Sequence, residues 1–526
     1  MSLADYCKEI IELIESGKIK NKRQLNAAKC KLAKKYSLQK MPTNPTIMRF
    51  AKEKSTMLRR LLTKKPVRSL SGINVIAIMA KPYACPGKCI YCPSSQIGVA
   101  TPKSYTGKEP ATMRALQAGF DPKKQVLDRI RQLIETGHNA NKIELIIMGG
   151  TFLATPLEYQ KRFVKEAIDA IIGKRSKTLA EAKLNAETAE RRIIGITFET
   201  RPDYCRKEHV NRMLGFAATR CELGVQILND CVYKKVQRGH SVKDVVSATR
   251  LLKDAGFKVC YHCMPGMPYA STKDDLKSFE MMFYDERFKP DNIKIYPCLV
   301  LKGTKLYEEY IKGNYEPLDT KKAVKLIAKV KEMLPYWVRV MRVQRDIPTQ
   351  LIDAGVKKSN LRQLVQEYLH KKGKHCNCIR CREAALKKSK EGIDYELSEA
   401  KLFVEKYRAS KGIELFLSLE DKKREFLFAY CRLRIPKNSF RREIASKNAI
   451  IRELRVLGEP LLLGQRKSEA LQHQGLGAKL VNEAEYLAKD VFDRKGMVII
   501  AGLGVKEYYR KKFGYKNRGP YVYKKL

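Results

Sequence analysis

The chain has 526 residues, 44% of them apolar, which is enough for several packed domains. Lys and Arg number 105 against 56 Asp and Glu, a formal net charge of +49, so a polyanion, nucleic acid by default, is the expected partner. No apolar run reaches the roughly 18 residues of a membrane helix and no charged-then-apolar leader opens the chain, so a cytoplasmic protein with its cysteines reduced or metal-bound is expected, not a membrane-spanning or disulfide-stapled one.

Residues 1–70 form a basic preface. Between Lys18 and Leu70 there are 17 Lys and Arg and one acid, Glu53. Apolar residues recur at helical spacing in IIELIESG and MRFAKEKSTMLRRLL, with a break at Thr43-Asn44-Pro45-Thr46. Lys22, Arg23, Lys29, Lys34, Lys35, Arg59 and Arg60 are candidate phosphate contacts, which give affinity and register without reading sequence. Solvated helices packed on the body are the alternative.

From 71 to 345 short apolar strands alternate with amphipathic helices. Strands are expected at Ile73–Ala80, Ile143–Met148, Ile193–Phe198, Cys221–Ile227, Lys258–Cys263 and Asn292–Tyr296, with helices such as Pro122–Thr136, Leu157–Ile172, Val242–Ala255 and Thr272–Tyr284 between them. Six β/α units predict an α/β fold with a parallel sheet closed, or nearly closed, as a partial (β/α)6 barrel of TIM type. Lys174 to Arg192 reads as a helical insertion.

After the first strand comes CPGKCIYC, which sets Cys85, Cys89 and Cys92 in a C-x3-C-x2-C pattern. Three thiolates on one loop hold three irons of a [4Fe–4S] cubane and leave the fourth open to a small chelator, where an electron-transfer ferredoxin supplies four cysteines. A structural zinc loop needs a fourth ligand, and the next Cys is Cys205 and the nearest His is His138. The spacing is similar to that of the radical S-adenosylmethionine (SAM) superfamily, in which SAM binds the open iron and is cleaved to a 5′-deoxyadenosyl radical. Gly149 and Gly150 after the second strand, Glu199 after the third, Gln226 after the fourth and His262 at the end of the fifth form one expected SAM pocket at the strand C-termini. The superfamily's glycine motif usually carries a Glu where this chain has Thr151-Phe152.

Residues 346–396 read as a linker. Cys376, Cys378 and Cys381 have zinc-knuckle density, with His375 or Cys298 as a fourth ligand and a second iron–sulfur cluster as the alternative. Such a site would staple two domains. From 397 to 526, Phe416–Leu419, Glu425–Leu433 and Ile450–Leu457 read as antiparallel strands. Gln472-His473-Gln474-Gly475-Leu476-Gly477 then opens a helix over Ala478–Asp490, which suits a pyrophosphate cradled by backbone amides and the helix dipole. A strand at Gly496–Ala501 and the pair Tyr508-Tyr509 complete an order similar to that of α+β GNAT-type acetyltransferases, although both tyrosines could be simple packing.

The strings CPGKCIYCP, MGGTF, ETRPDYC, HCMPGMP, RDIP, QHQGLG and YYRKKFGY together resemble the Elongator catalytic-subunit family across nearly the whole chain, in its archaeal single-subunit form. In eukaryotic members the first two cluster cysteines are farther apart, and the Cys376 loop is not general. The resemblance implies a tRNA uridine(34) acetyltransferase that uses SAM and acetyl-CoA to install a carboxymethyl-type group at C5 of the wobble uridine. It implies that Leu454, Arg455, Val456 and Leu457 line the pantetheine and that Gln474, Gly475, Leu476, Gly477 and Ala478 hold the pyrophosphate. Tyr508 and Tyr509 would lie near the thioester, and Lys142, beside the glycine pair, would contact acetyl-CoA from the other domain. C5 of uracil is a poor nucleophile for acyl transfer, so a radical route through the acetyl methyl explains why two domains are needed. tRNA, SAM, acetyl-CoA and an electron donor are the implied partners, with a homodimer as a candidate assembly. A lysine acetyltransferase with a structural cluster and a radical SAM RNA methylase or methylthiolase are the competing readings.

Overall fold

A computed structural model describes residues 2–53, 55–63, 72–393, 395, 397, 399–445, 447–458 and 475–526. Seven strands form the first sheet: β1 (Ile73–Met79), β2 (Lys142–Met148), β3 (Arg192–Thr200), β4 (Arg220–Gln226), β5 (Lys258–Cys263), β6 (Asn292–Ile295) and β7 (Arg339–Val343). They lie in sequence order and pair in parallel throughout. The sheet therefore has one strand more than the six expected, and β1 and β7 are not paired with each other, so it is an open half-barrel. β7 escaped notice because Arg339 and Arg342 break its apolar run.

The two-residue strand period sorts the side chains. In β4, Cys221, Leu223 and Val225 are fully buried in the core under the helices, and Arg220, Glu222, Gly224 and Gln226 take the opposite, lumenal face. In β5 the core takes Val259, Tyr261 and Cys263, and the lumen takes Lys258, Cys260 and His262. In these strands the concave face is thus largely polar and ionic, and most of the apolar burial is on the helical side. The predicted insertion is the helix Leu179–Thr188.

The second sheet holds β8 (Lys401–Ala409), β9 (Gly412–Glu420), β10 (Leu427–Ile435), β11 (Asn448–Val456), β12 (Gly496–Ile499), β13 (Lys516–Arg518) and β14 (Tyr521–Lys525), in the order β13-β14-β12-β11-β10-β9-β8. Only β11 and β12 pair in parallel. The three antiparallel strands expected are β9, β10 and β11. β8 is half exposed and rich in Lys, Glu and Arg, and β13 has three residues, so neither carries a strong apolar pattern. The helix Leu476–Tyr486 starts two residues earlier than expected and continues as a π-helical turn, Leu487–Val491.

The two sheets are joined by a buried ionic interface. Arg452, fully buried on β11, donates to Asp291 at 2.6 and 2.8 Å and to Glu414 at 2.7 and 3.1 Å. Arg434 on β10 binds Asp254 at 2.5 Å and Glu414 at 2.8 Å. Burial opposes the charge on Asp291, but Arg452, Lys253 and Arg432 outweigh it and hold the carboxyl well below its usual range. Arg452→Met would leave two buried carboxylates short of a partner and is expected to cost about 3–5 kcal/mol. Urea unfolding of the full chain measures this loss. Because Asp291 and Glu414 are both lowered, the contribution is present at neutral pH and is lost as acid protonates them below about pH 4.

The preface forms four helices, Leu3–Glu15, Lys22–Lys35, Asn44–Arg49 and Thr56–Leu62, around their own core of Tyr6, Ile10, Ile14, Leu25, Leu32 and Leu58. It docks on the half-barrel through Thr63 Oγ1, which donates to Gly137 O at 3.2 Å. Lys22, Arg23 and Lys34 are exposed. Lys29, expected as a phosphate contact, is instead 7% exposed with its ammonium on Asn44 Oδ1 at 3.0 Å, because its helical position faces the inner core. Lys35 is exposed but held at 2.8 Å by Glu9. Arg59 is half-buried, and exposed Arg60 donates to Lys20 O at 3.2 Å.

Candidate functional site

The cysteine loop leaves the C-terminal end of β1 and folds over the mouth of the half-barrel. Ile90 N donates to Val236 O and Leu306 N to Ile90 O, which fixes the loop between two βα connections. Cys89 Sγ accepts from Arg238 Nη1 at 3.5 Å, and Cys92 Sγ lies 3.3 Å from Ser104 Oγ. Arg201 is clamped by Asp203 through Nε and Nη2, both at 2.9 Å, while its Nη1 is buried without a hydrogen-bond partner beside Gly87. A Cβ on Gly87 would lie 2.0 Å from that nitrogen, so only glycine allows the approach. Arg238, Arg201 and Arg345, which donates to Ser104 O, thus bring positive charge to a three-thiol loop.

That environment suits an anionic iron–sulfur cluster. Among the described residues, three-member ligand groups with every atom within 4.8 Å include Cys376, Cys378 and Cys381 but not Cys85, Cys89 and Cys92. The Cys376, Cys378 and Cys381 sulfurs are close enough together to share a single ion. Sequence reasoning quoted Arg201 and Arg345 only as parts of strings and missed Arg238, whose role depends on strand neighbours.

The expected SAM residues do converge at this mouth. Gly149 and Gly150 have φ of +130° and +65°, and a Cβ on Gly149 would lie 3.1 Å from that of Ala80, so the ends of β1 and β2 approach closely. Glu199 accepts from Tyr105 Oη and Lys294 Nζ, each at 3.4 Å. Gln226 sits at φ 71° at the end of β4. His262 Nε2 lies 2.7 Å from Glu222 Oε2 and is therefore tied into the lumen. Burial opposes ionisation of Glu222, but Lys294, the His262 hydrogen bond and Arg220 hold its carboxyl well below the usual range.

At the other end of the half-barrel, a cavity of about 480 Å³ lies between the two sheets. β11 and β12 pair only as far as Ile451 and Ile499, and beyond that point Leu454, Arg455 and Val456 line the cavity instead of a β12 ladder. Gly475, Gly477 and Ala478 line it from the start of the helix, and Tyr508, Tyr509 and Lys512 from the last helix. The half-barrel contributes Lys142, Glu144, Arg220 and Lys258. Gly475 has φ +74°, which favours glycine, and a Cβ on Gly477 would meet Tyr508 Oη at 3.4 Å. Leu457 is fully buried and Leu476 is 9% exposed, each in a core, and neither lines the cavity. Gln474 lies outside the described residues. Burial raises the Tyr509 hydroxyl well above its ordinary range, so it stays protonated.

Lys142 corrects an expectation. It is the first residue of β2 and Met148, next to the glycine pair, is the last. At ~3.3 Å per residue they are roughly 20 Å apart. Lys142 belongs to the cavity and not to the cysteine mouth.

The second cysteine group lies where β7 meets the second sheet. Ile379 N donates to Val338 O, and Arg382 donates to Tyr336 O and pairs with Glu420. His375 is exposed and outside the three-thiol group, and Cys298 is buried in a different core cluster at the barrel mouth, so neither is brought in as a fourth ligand. Hydrogen bonds from the neighbouring Cys376 and Cys381 thiols hold Cys378 well below its usual range, and the charge of Lys331, fully buried with its ammonium unpartnered, adds to this. No helix among the described residues is long and apolar enough to cross a membrane.

Comparison with known proteins shows the family. Residues 81–281 match the Radical SAM superfamily model, 290–371 the Radical SAM C-terminal domain and 3–70 the ELP3 N-terminal domain. A tRNA uridine(34) acetyltransferase of Methanocaldococcus infernus is 46% identical over 525 residues, 99% of this chain and 98% of that protein. Elongator complex protein 3 of Danio rerio is 39% identical over 541 residues, covering 100% and 97%. The chain belongs to this Elongator protein 3 family. Archaeal Methanocaldococcus infernus Elp3 with an N-terminal deletion (1–46) has the same fold, with a TM-score of 0.78 at 44% identity, covering 87% of this chain and 100% of that one. Members of the Elongator protein 3 family such as this chain are radical SAM enzymes, which implies a [4Fe–4S] cluster and SAM.

Proposed function

We propose that the protein modifies C5 of the wobble uridine of tRNA with a carboxymethyl-type group, using SAM and acetyl-CoA. The observation that carries this reading is one half-barrel with a cationic three-thiol loop at one mouth and a glycine-lined, two-domain cavity at the other. When bound, the cluster and SAM supply a 5′-deoxyadenosyl radical. Cys85, Cys89 and Cys92 would hold the cluster, with Arg201 and Arg238 balancing its charge. Gly149, Gly150, Glu199 and Gln226 would line the SAM side. Gly475, Gly477 and Ala478 would present backbone amides to the pyrophosphate, and Leu454 to Val456 offer an unpaired strand edge to the pantetheine amides. The C-terminal sheet would then be a GNAT-type acetyltransferase domain. A lone structural zinc on Cys376, Cys378 and Cys381 would need a fourth ligand from water or from a side chain that rearranges.

The test is anaerobic incubation with tRNA, SAM, a reductant and acetyl-CoA, omitting one at a time, followed by nucleoside mass spectrometry. Modified uridine is expected only with all four. Acetylated lysine peptides formed without SAM would favour a protein acetyltransferase, and modified RNA formed without acetyl-CoA would favour a methylase.

tRNA binding by the preface has its own expectation. Neutralising exposed Lys22, Arg23 and Lys34 together should weaken tRNA binding and reduce the log–log salt slope by roughly 0.7–0.9 per lost contact. Lys29→Ala should instead lower the preface's melting temperature, because its ammonium is an internal hydrogen-bond donor. Filter binding across salt concentrations and a thermal melt separate the two.

A further inference from the structure

We propose that Arg220 is the residue that receives the acyl oxygen of the thioester at the inner end of the interdomain cavity. The proposal rests on the acetyl-CoA reading above and deepens it. Arg220 opens β4 and is 3% exposed, yet it lines the cavity. Two carboxylates lie within ion-pair distance of it. Its Nη1 lies 2.5 Å from Glu144 Oε1 on the cavity side, and its Nε lies 3.3 Å from Glu222 Oε1 in the lumen. Its Nη2 and Nε are both buried without a hydrogen-bond partner, the Glu222 contact being an ion pair only. A buried, unpartnered guanidinium nitrogen is costly, and a ligand oxygen would satisfy it.

The position suits the acyl end and not the phosphate end. The glycines that suit a pyrophosphate, Gly475 and Gly477, line the cavity from the second sheet's side, Gly477 beside Val456 and Leu454. Arg220 comes from the half-barrel wall that closes the cavity, with Gly195 and Lys258 as neighbours. Lys258 donates to Thr219 Oγ1 at 3.3 Å, and Arg452 is fully engaged by Asp291 and Glu414. Behind Arg220 an ionic column runs along the lumen through Glu222, Lys294, His262 and Glu199 to Tyr105. Tyr105 adjoins Ser104, the hydroxyl neighbour of Cys92. Arg220 therefore marks the point where the cavity gives way to the polar lumen that leads to the cysteine mouth. It acts as a positioning residue that turns the acetyl group toward the lumen.

The measurable consequence is discrimination between acetyl-CoA and free CoA, which share every feature except the acyl group. Titration calorimetry of the full-length, cluster-loaded protein should give tighter binding of acetyl-CoA than of CoA, by about tenfold or more for one charge-assisted hydrogen bond. Arg220→Gln should erase that preference and leave CoA affinity within about threefold of wild type. Arg220→Lys, which keeps a donor but not the fork, should restore part of it. Glu144→Gln, which keeps an amide acceptor but removes the competing negative charge, should increase the preference, and it keeps the proposal testable if the Arg220 variants fail to fold. Equal weakening of CoA and acetyl-CoA by Arg220→Gln would make Arg220 a phosphate or packing residue and overturn the proposal. So would an unchanged preference in Arg220→Gln and Glu144→Gln. If wild-type protein binds neither compound, the acetyl-CoA reading itself fails, and that result is distinct from both.

Discussion

Replacing Cys89 with alanine is expected to bring both 5′-deoxyadenosine formation and modified uridine below detection, with iron and sulfide falling to background. Cys89 is the middle thiol of the loop and accepts from buried Arg238 at 3.5 Å. Removing it takes away one of the three proposed cluster ligands and leaves that guanidinium nitrogen without its acceptor. Cys89→Ser keeps an acceptor for Arg238 but is a poor iron ligand, so it should lose the cluster with less loss of thermal stability. Iron and sulfide analysis, the visible absorbance of the reconstituted protein and a melting curve read the three effects separately. A fully loaded Cys89→Ala protein at wild-type stoichiometry would remove the loop from the centre of the reaction.

The second large effect is expected at Gly477. A Cβ there would lie 3.4 Å from Tyr508 Oη and 3.6 Å from Val456 Cγ2, so Gly477→Ala needs only small shifts. Gly477→Glu also adds a carboxylate in the first turn of the helix Leu476–Tyr486, where the proposed ligand carries its phosphates. Acetyl-CoA binding should weaken more than about a hundredfold, on the order of 2.7 kcal/mol, and modified uridine should disappear while the cluster still loads. If the two mouths of the half-barrel serve one reaction, this variant and Cys89→Ala both abolish the product. If they are separate enzymes, Gly477→Glu leaves an RNA modification intact. Acetyl-CoA deuterated on its methyl decides the matter: deuterium should appear in 5′-deoxyadenosine, and deuterium-free 5′-deoxyadenosine alongside modified tRNA would exclude the acetyl methyl as hydrogen donor.

The three-cysteine loop was legible because its thiols lie within eight consecutive residues, so the pattern is local and needs no fold to assemble it. The strands β1 to β6 were legible for the same reason: a run buried on one face by helices is apolar at every second position at least. β7 and β8 were not, because charged residues interrupt their apolar runs, Arg339 and Arg342 in β7 and Lys401, Glu405, Lys406 and Arg408 in β8. His375 and Lys29 were assigned by adjacency and by charge, and both failed because neither fixes the direction in which a side chain points.

By itself the sequence determined the loop that offers three thiols, the glycines that open a helix, the basic charge of the preface and the order of β and α units. Each depends on neighbours within a few residues, or on a sum over the chain. The tertiary structure alone decided that the half-barrel is open with an ionic lumen, and that Lys142 and the glycine pair occupy opposite ends of β2. It also brought Arg220 of β4 into the cavity built by β11 and the last helix, although they are more than two hundred residues apart in the chain. Strand pairing and the Arg452–Asp291–Glu414 interface set those relations, and they join residues whose sequence separation carries no local signal.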